Sequence, residues 1–190
     1  MARLFWVRHG PTHAKTMVGW SDLPADLSDT ARLQRLEAAL PSKAAVISSD
    51  LSRAVTTADA ISGNRTRLPH DPDLREIHFG DWELQRFDAV ADQDHIRSFW
   101  ENPGDIRAPN GESWNDVTTR VDRAVAQLLN DHPKRDIVAV AHFGVILTQV
   151  QKALNIGAFE AFSHRIENLS LTELHWDGEE WQALEINQIL

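Results

Sequence analysis

The sequence predicts an α/β fold in which a largely parallel sheet is covered by helices on both faces. Short apolar runs recur without a polar break, as in strands buried on both sides, and segments with helical spacing alternate with them. The first run is Leu4-Phe5-Trp6-Val7, which stops at Arg8-His9 before Gly10 and Pro11 turn the chain into a loop. An Arg and a His are thereby set side by side at the C-terminal end of an expected central strand. In open α/β sheets that edge is where ligands bind.

The elements follow in order. Residues 12–27, with Gly19 and Pro24, read as irregular chain. Ser28 is expected to cap a helix reaching about Leu40, with Leu33, Leu36, Ala39 and Leu40 on one side and Pro41 ending it. Ala44 to Ile47 is a second apolar strand, opening into Ser48-Ser49-Asp50-Leu51-Ser52-Arg53. There Ser52 is expected to cap a helix to about Ser62 that Gly63 stops. Thr66 to Leu68 gives a third, short strand.

From His70 to Gly111 the chain is richer in Pro, Gly and charge. Short helices are expected near Leu84 to Ala91 and Asp92 to Trp100, with turns at Asn102-Pro103-Gly104 and Pro109-Asn110-Gly111. Ser113, with Asp116 three residues on, has the form of a capping box. The helix it opens, to about Asn130, buries Val117, Val121, Val125 and Leu128, and its Arg120, Asp122 and Arg123 are expected on a solvated face. Asp136 to Ala141 is another continuous apolar strand, ending at His142, and Phe143-Gly144 opens a helix to about Leu154. Two last strands, near Ile166 to His175 and Trp181 to Ile186, are joined around Asp177-Gly178.

Composition narrows the function classes. At 190 residues the chain is expected to form one domain, 1–190, with a real core, and its 42% hydrophobic and 25% charged content is ordinary for a globular protein. A net charge of -9 without a basic block argues against nucleic acid or an anionic membrane as main partner. There is no Cys, which removes disulfides, thiolate metal sites and thiol nucleophiles. Neither a signal peptide nor an apolar run near a membrane span is visible, so a cytoplasmic protein is expected.

Two apolar strands end in a His, at His9 and His142, and a third leads to a turn bearing Arg53. If these strands are parallel neighbours, Arg8, His9, Arg53 and His142 share one crevice. Two guanidiniums and two imidazoles there make an anion site, because the planar guanidinium fork donates paired hydrogen bonds to phosphate and keeps its charge. The amides at the helix starts near Ser52 and Phe143 are expected to add to it. A neutral imidazole is also a good nucleophile, and a covalent intermediate divides a hard displacement in two. The departing alkoxide then needs an acid, for which Glu76 is the candidate. A single His at a strand end is ordinarily a hydrogen-bonded surface residue; two such junctions with two Arg shift the balance to a site. His9 and His13 are four apart, but Pro11 between them argues against a helical metal pair, and no metal site is expected.

Together these residues resemble the histidine phosphatase superfamily, in its phosphoglycerate-mutase-like branch. Arg8-His9-Gly10-Pro11-Thr12 is similar to the Arg-His-Gly-x-Thr signature. Gly19-Trp20-Ser21-Asp22 with Leu27-Ser28, and Ser48 to Ala54 with Thr57-Ala58, are similar to the segments that follow it. Leu74-Arg75-Glu76 with Phe79-Gly80-Asp81-Trp82-Glu83 resembles the acid-bearing segment, and Gly111-Glu112-Ser113 and Ala141-His142 the last landmarks. The resemblance implies a three-layer α/β/α sandwich with a mostly parallel sheet and no metal or other cofactor. It also implies His9 as the nucleophile that becomes phosphorylated, Arg8, Arg53 and His142 as the phosphate pocket, and Glu76 as proton donor. Thr12 and Lys15 are further candidates for phosphate or substrate contacts.

The implied activity is hydrolysis of a small phosphorylated metabolite. The alternatives are a phosphoglycerate-mutase-type transfer, or a phospholigand-binding protein without turnover. Departures from the family pattern are Lys15 where Asn is common, Phe143 and Leu84 where Gly is frequent, Ala31 in the first helix, and a short loop after His9. They bear on the substrate, whose recognition is expected in that loop and in residues 82–110.

Overall fold

The computed structural model describes residues 2–190. Its sheet has six strands in the order β3-β2-β4-β1-β5-β6. These are β1 (Ala2–Arg8), β2 (Ala45–Ser48), β3 (Thr66–Arg67), β4 (Ile137–Ala141), β5 (Leu171–Trp176) and β6 (Trp181–Gln188). The four strands from β3 to β1 run parallel, and β5 and β6 are added antiparallel beside β1. The helices are α1 (Thr30–Ala39), α2 (Ser52–Ser62), α3 (Gln93–Glu101), α4 (Trp114–Asp131), α5 (Phe143–Leu154) and the single turn α6 (Ala158–Ala161).

Alternation along the strands builds the expected three layers. Phe5 and Val7 of β1, with Val46, Val138 and Val140, pack on Leu33 and Leu36 of α1 and Ala54, Ala58 and Ile61 of α2. Leu4 and Trp6, with Ile47, Ile137 and Ala139, face the other way onto α4 and α5 through Val117, Val121, Val145 and Ile146. Because each central strand is covered on both faces, its sequence is apolar without alternation, which made it legible.

The structure corrects several local expectations. Asp29, not Ser28, caps α1, its carboxylate accepting from the Arg32 amide at 3.0 Å. Ser52 is the first residue of α2 rather than its cap; its amide and hydroxyl both donate to Asp22 Oδ1, at 2.8 and 2.7 Å. That amide is therefore spoken for and is not free for an anion. Near Leu84 to Ala91 there is only a 3-10 turn, Phe87–Ala89, because Leu84 stands in the left-handed region at φ 61° and breaks any helix before it starts. The strand expected from Ile166 begins at Leu171. Leu169 has φ 57°, and residues 166–170 instead wrap the end of β1 with their backbone. Arg8 donates to the Ile166 carbonyl at 2.6 Å, and Asn168 donates to the His9 carbonyl at 2.8 Å. The Ser113–Asp116 capping box forms as expected at the head of α4.

Leu4 is fully buried at the centre of β1. Leu4→Ala is expected to lower stability by about 2–5 kcal/mol through lost burial and the cavity left behind. An earlier urea midpoint with an unchanged slope would report it.

Candidate active site

Parallel pairing brings three strand ends to one height. Arg8 pairs with Ala141, and Ser48 with Val140, so the turns after β1, β2 and β4 leave the sheet together. Arg8, His9, Thr12, Arg53 and Glu76 line one cavity of about 240 Å³. His142 lies against it, its ring centroid 5.0 Å from that of His9 and its side chain fully buried. Lys15 is exposed on the loop above and does not line the cavity.

The local bonds of His9 set its chemistry. Its Nδ1–H donates to the Gly10 carbonyl at 2.6 Å, leaving Nε2 as a lone pair. Arg53 Nε donates to that Nε2 at 3.3 Å. Burial first, then the charge of Arg53 and, more weakly, that of Arg8 push its pKa down to about 3, against an upward pull from the Gly10 bond. At neutral pH it is an uncharged imidazole with its unprotonated nitrogen turned to Arg53, and Arg8 lines the same cavity.

Those cations are held by backbone rather than by acids. Arg53 Nη1 and Nη2 donate to the carbonyls of Ser21 and Gly19 at 2.9 and 2.6 Å. Loop 19–21 is in turn pinned by Glu83, which accepts from the amides of Gly19 and Trp20 and from the Ser21 hydroxyl at 3.1, 2.7 and 2.7 Å. Arg8 Nε and His142 Nδ1 are buried without a hydrogen-bond partner among the described residues. They are two of five such side-chain atoms among the described residues, with Trp6 Nε1, Arg32 Nε and Ser170 Oγ, and these two belong to residues beside His9. Ser49 is the hydrogen-bond partner of His142. Its Oγ lies 2.7 Å from His142 Nε2 and accepts weakly from the Leu51 amide at 3.4 Å, so its proton is free to point at Nε2. A hydrogen bond from the Ser49 hydroxyl to Nε2 would place the ring proton on Nδ1, the orphaned atom.

Glu76 is 7% exposed and sits at the N-terminus of α5. Its Oε1 accepts from the Ile77 and Gly144 amides, each at 3.0 Å. A Cβ on residue 144 would lie 2.5 Å from that oxygen, so only Gly lets the carboxyl reach the helix end. Burial raises the Glu76 pKa, outweighing the two amides and the charges of Arg53 and Arg8. The α5 amide expected to hold an anion is thus occupied by this carboxyl.

Arg120 is the residue that sequence reading misplaced. It is 8% exposed, not solvated, and donates to the carbonyls of Asp73, Arg75 and Glu76 at 2.7, 2.7 and 2.8 Å. Glu112 closes the clamp, pairing with Arg120 Nε at 2.7 Å and accepting from the His78 amide at 2.9 Å. The signal was present: position 120 falls three after Val117 and four before Ala124, on the buried stripe of α4. Arg123 does lie on the open face, paired with Asp73, whereas Asp122 is half-buried against α5, paired with Lys152 and accepting from Gln149. Among the described residues no three His, Asp or Glu are placed to hold a metal ion, and His13 pairs with Asp26 at 2.7 Å. No helix among them is long and apolar enough to cross a membrane.

The sequence profile of the histidine phosphatase superfamily (branch 1) matches residues 4–189. Glucosyl-3-phosphoglycerate phosphatase of Mycobacterium tuberculosis (strain H37Rv) is 33% identical over 205 aligned positions, taking in 96% of this chain and 90% of that protein. Adenosylcobalamin/alpha-ribazole phosphatase of Escherichia coli (strain K12) is 29% identical over 195 positions, covering 98% of this chain and 91% of that one. The solved structure of Bacillus stearothermophilus YhfR superposes with a TM-score of 0.91 at 27% identity, covering 100% of this chain and 98% of the other. A profile matched over nearly every residue, on a fold and motif order of the same kind, means that the chain belongs to the histidine phosphatase superfamily, branch 1.

Proposed function

We propose that this chain acts as a single unit, residues 1–190, that hydrolyses phosphate monoesters of small metabolites through a phosphohistidine at His9. The observation that carries the reading is the neutral His9 Nε2, set beside two fixed guanidiniums and two orphaned donors. A substrate phosphoryl group placed there meets the nucleophile, Arg8, Arg53 and the His142 Nδ1–H. Thr12, on the cavity wall, is a further contact, whereas the exposed Lys15 offers at most a contact at the mouth. Charge that grows on the equatorial oxygens is met by donors already oriented, which is where most phosphoryl-transfer catalysis arises.

The chemistry runs in two steps. Nε2 bonds to phosphorus as the ester P–O bond breaks, and Glu76 gives its proton to the leaving oxygen. The positive charge left on the ring is offset by the Nδ1–H bond to the Gly10 carbonyl. Glu76, now a carboxylate, takes a proton from water as that water attacks phosphorus, and the N–P bond breaks to release phosphate and restore His9. A mutase differs only in what attacks the phosphoenzyme, a second hydroxyl instead of water. Release of free phosphate without isomer formation separates the two.

His9→Ala is expected to abolish both turnover and the acid-labile, alkali-stable phosphoenzyme that rapid quenching with a labelled ester traps; ordinary activity in that variant would sink the mechanism. With Glu76→Gln, hydrolysis of alkyl phosphates should fall by about 10²–10⁴-fold. A nitrophenyl ester, which needs no acid, should instead give a burst and accumulated phosphoenzyme. In the wild type kcat/KM should fall as pH rises through the elevated pKa of Glu76, since its protonated form is the acid. His9 adds no acidic limb until pH nears about 3. Glu76→Gln should lack the limb that Glu76 causes. Ser49→Ala should raise KM for substrate and Ki for inorganic phosphate by about tenfold, roughly the worth of one hydrogen bond to a charged group. Unchanged phosphate affinity would remove Ser49 from the role of setting the His142 proton.

A further inference from the structure

Resting on the hydrolase reading, we propose that the site selects esters whose alcohol is uncharged and apolar, a single ring or a branched hydrocarbon, and disfavours esters carrying a carboxylate. The ionisable residues lining the cavity are Arg8, His9, Arg53 and Glu76, all at the end where the phosphoryl group would sit. The remaining wall is Thr16, Met17, Val18, Phe79, Trp100 and Phe143, with Ala14 at its edge. No further cation lines it. A carboxylate on the leaving group would find no cation on that wall, Lys15 standing only at the mouth, and would exchange water for apolar surface without a partner, so it is disfavoured by desolvation.

The wall is also shaped for a ring. Phe79 and Trp100 stand with centroids 5.9 Å apart, and Trp100 is backed edge-on by Phe99 at 5.1 Å and Phe162 at 5.5 Å. Phe143 is pinned under the Arg8 guanidinium, 5.4 Å from its centroid. These are anchored faces, which lose little side-chain freedom when an aromatic group stacks on them. Size agrees. About 150 Å³ of apolar cavity suffices for benzene, and the 240 Å³ here leaves room for the phosphoryl group beside one ring. Met17 is tied by two backbone bonds to the 84–85 segment, at 2.8 and 2.9 Å, where Leu84 is 50% exposed, so apolar surface continues outward beside Met17.

The test compares alcohols of similar leaving ability. Phosphate release is measured with benzyl phosphate, ethyl phosphate, phosphoserine and 3-phosphoglycerate on the whole wild-type chain. Benzyl phosphate should exceed 3-phosphoglycerate in kcat/KM by about 100-fold or more, the scale on which an unpaired buried group discriminates. Trp100→Ala should cut the benzyl-to-ethyl preference about tenfold, chiefly through KM. Met17→Arg, at a half-buried loop position on the cavity wall, should move the preference toward 3-phosphoglycerate by supplying the missing cation. Equal or better turnover of 3-phosphoglycerate or phosphoserine by the wild type would overturn this selectivity while leaving the hydrolase reading intact. No phosphate release from any of the four by a folded chain would overturn the hydrolase reading itself, and the selectivity with it.

Discussion

The parallel pairing of β1 with β4, and of β4 with β2, is the constraint on which the site depends. With Arg8 level with Ala141 and Ser48 level with Val140, three turns leave the sheet at one edge. One delivers Arg8 and His9, one Arg53, one His142. A slip of one residue in either pairing would turn alternate side chains to the opposite layer and scatter the four groups. The buried valines on one face and Leu4, Trp6 and Ile137 on the other fix that register from both sides.

On this frame the electrostatics are set by what is absent from each charge's surroundings. Among the described residues neither Arg8 nor Arg53 has a carboxylate salt-bridge partner; their direct partners are carbonyls and His9 Nε2. Their charge is left for the cavity, and it holds His9 neutral. Glu76, the acid among the described residues on the cavity lining, is buried and raised, so the same pocket lowers the pKa of a base and raises that of an acid. Opposite shifts in neighbouring groups are what an acid–nucleophile pair requires; burial drives both, and the arginine charges reinforce it at His9 and oppose it at Glu76.

The supporting parts are polar and lie outside the cavity. Arg120 with Glu112 fastens the chain that carries Glu76, Glu83 fastens the loop that carries the Arg53 acceptors, and Gly144 allows helix α5 to meet the Glu76 carboxyl. Each is a long-range contact between residues far apart in sequence. That is why a motif-by-motif reading finds the groups facing the cavity and passes over those that hold them.

The sequence by itself determined the layered α/β class, the strand ends and the identity of Arg8, His9, Arg53, His142 and Glu76 as candidates. Both-face burial writes itself as unbroken apolar runs, and chemistry-bearing residues interrupt those runs visibly. Turn conformation was less legible: Leu84 and Leu169 at positive φ abolish a helix and shorten a strand, and neither is a residue type that announces such a turn. Only the tertiary structure decided which partner each imidazole meets, that Arg120 is buried while Arg123 is not, and that Lys15 lies outside the cavity. Those outcomes depend on hydrogen-bond partners and solvent access supplied by remote segments. It also decided the apolar wall, because Met17, Phe79, Trp100 and Phe143 come from four separate stretches that no local pattern links.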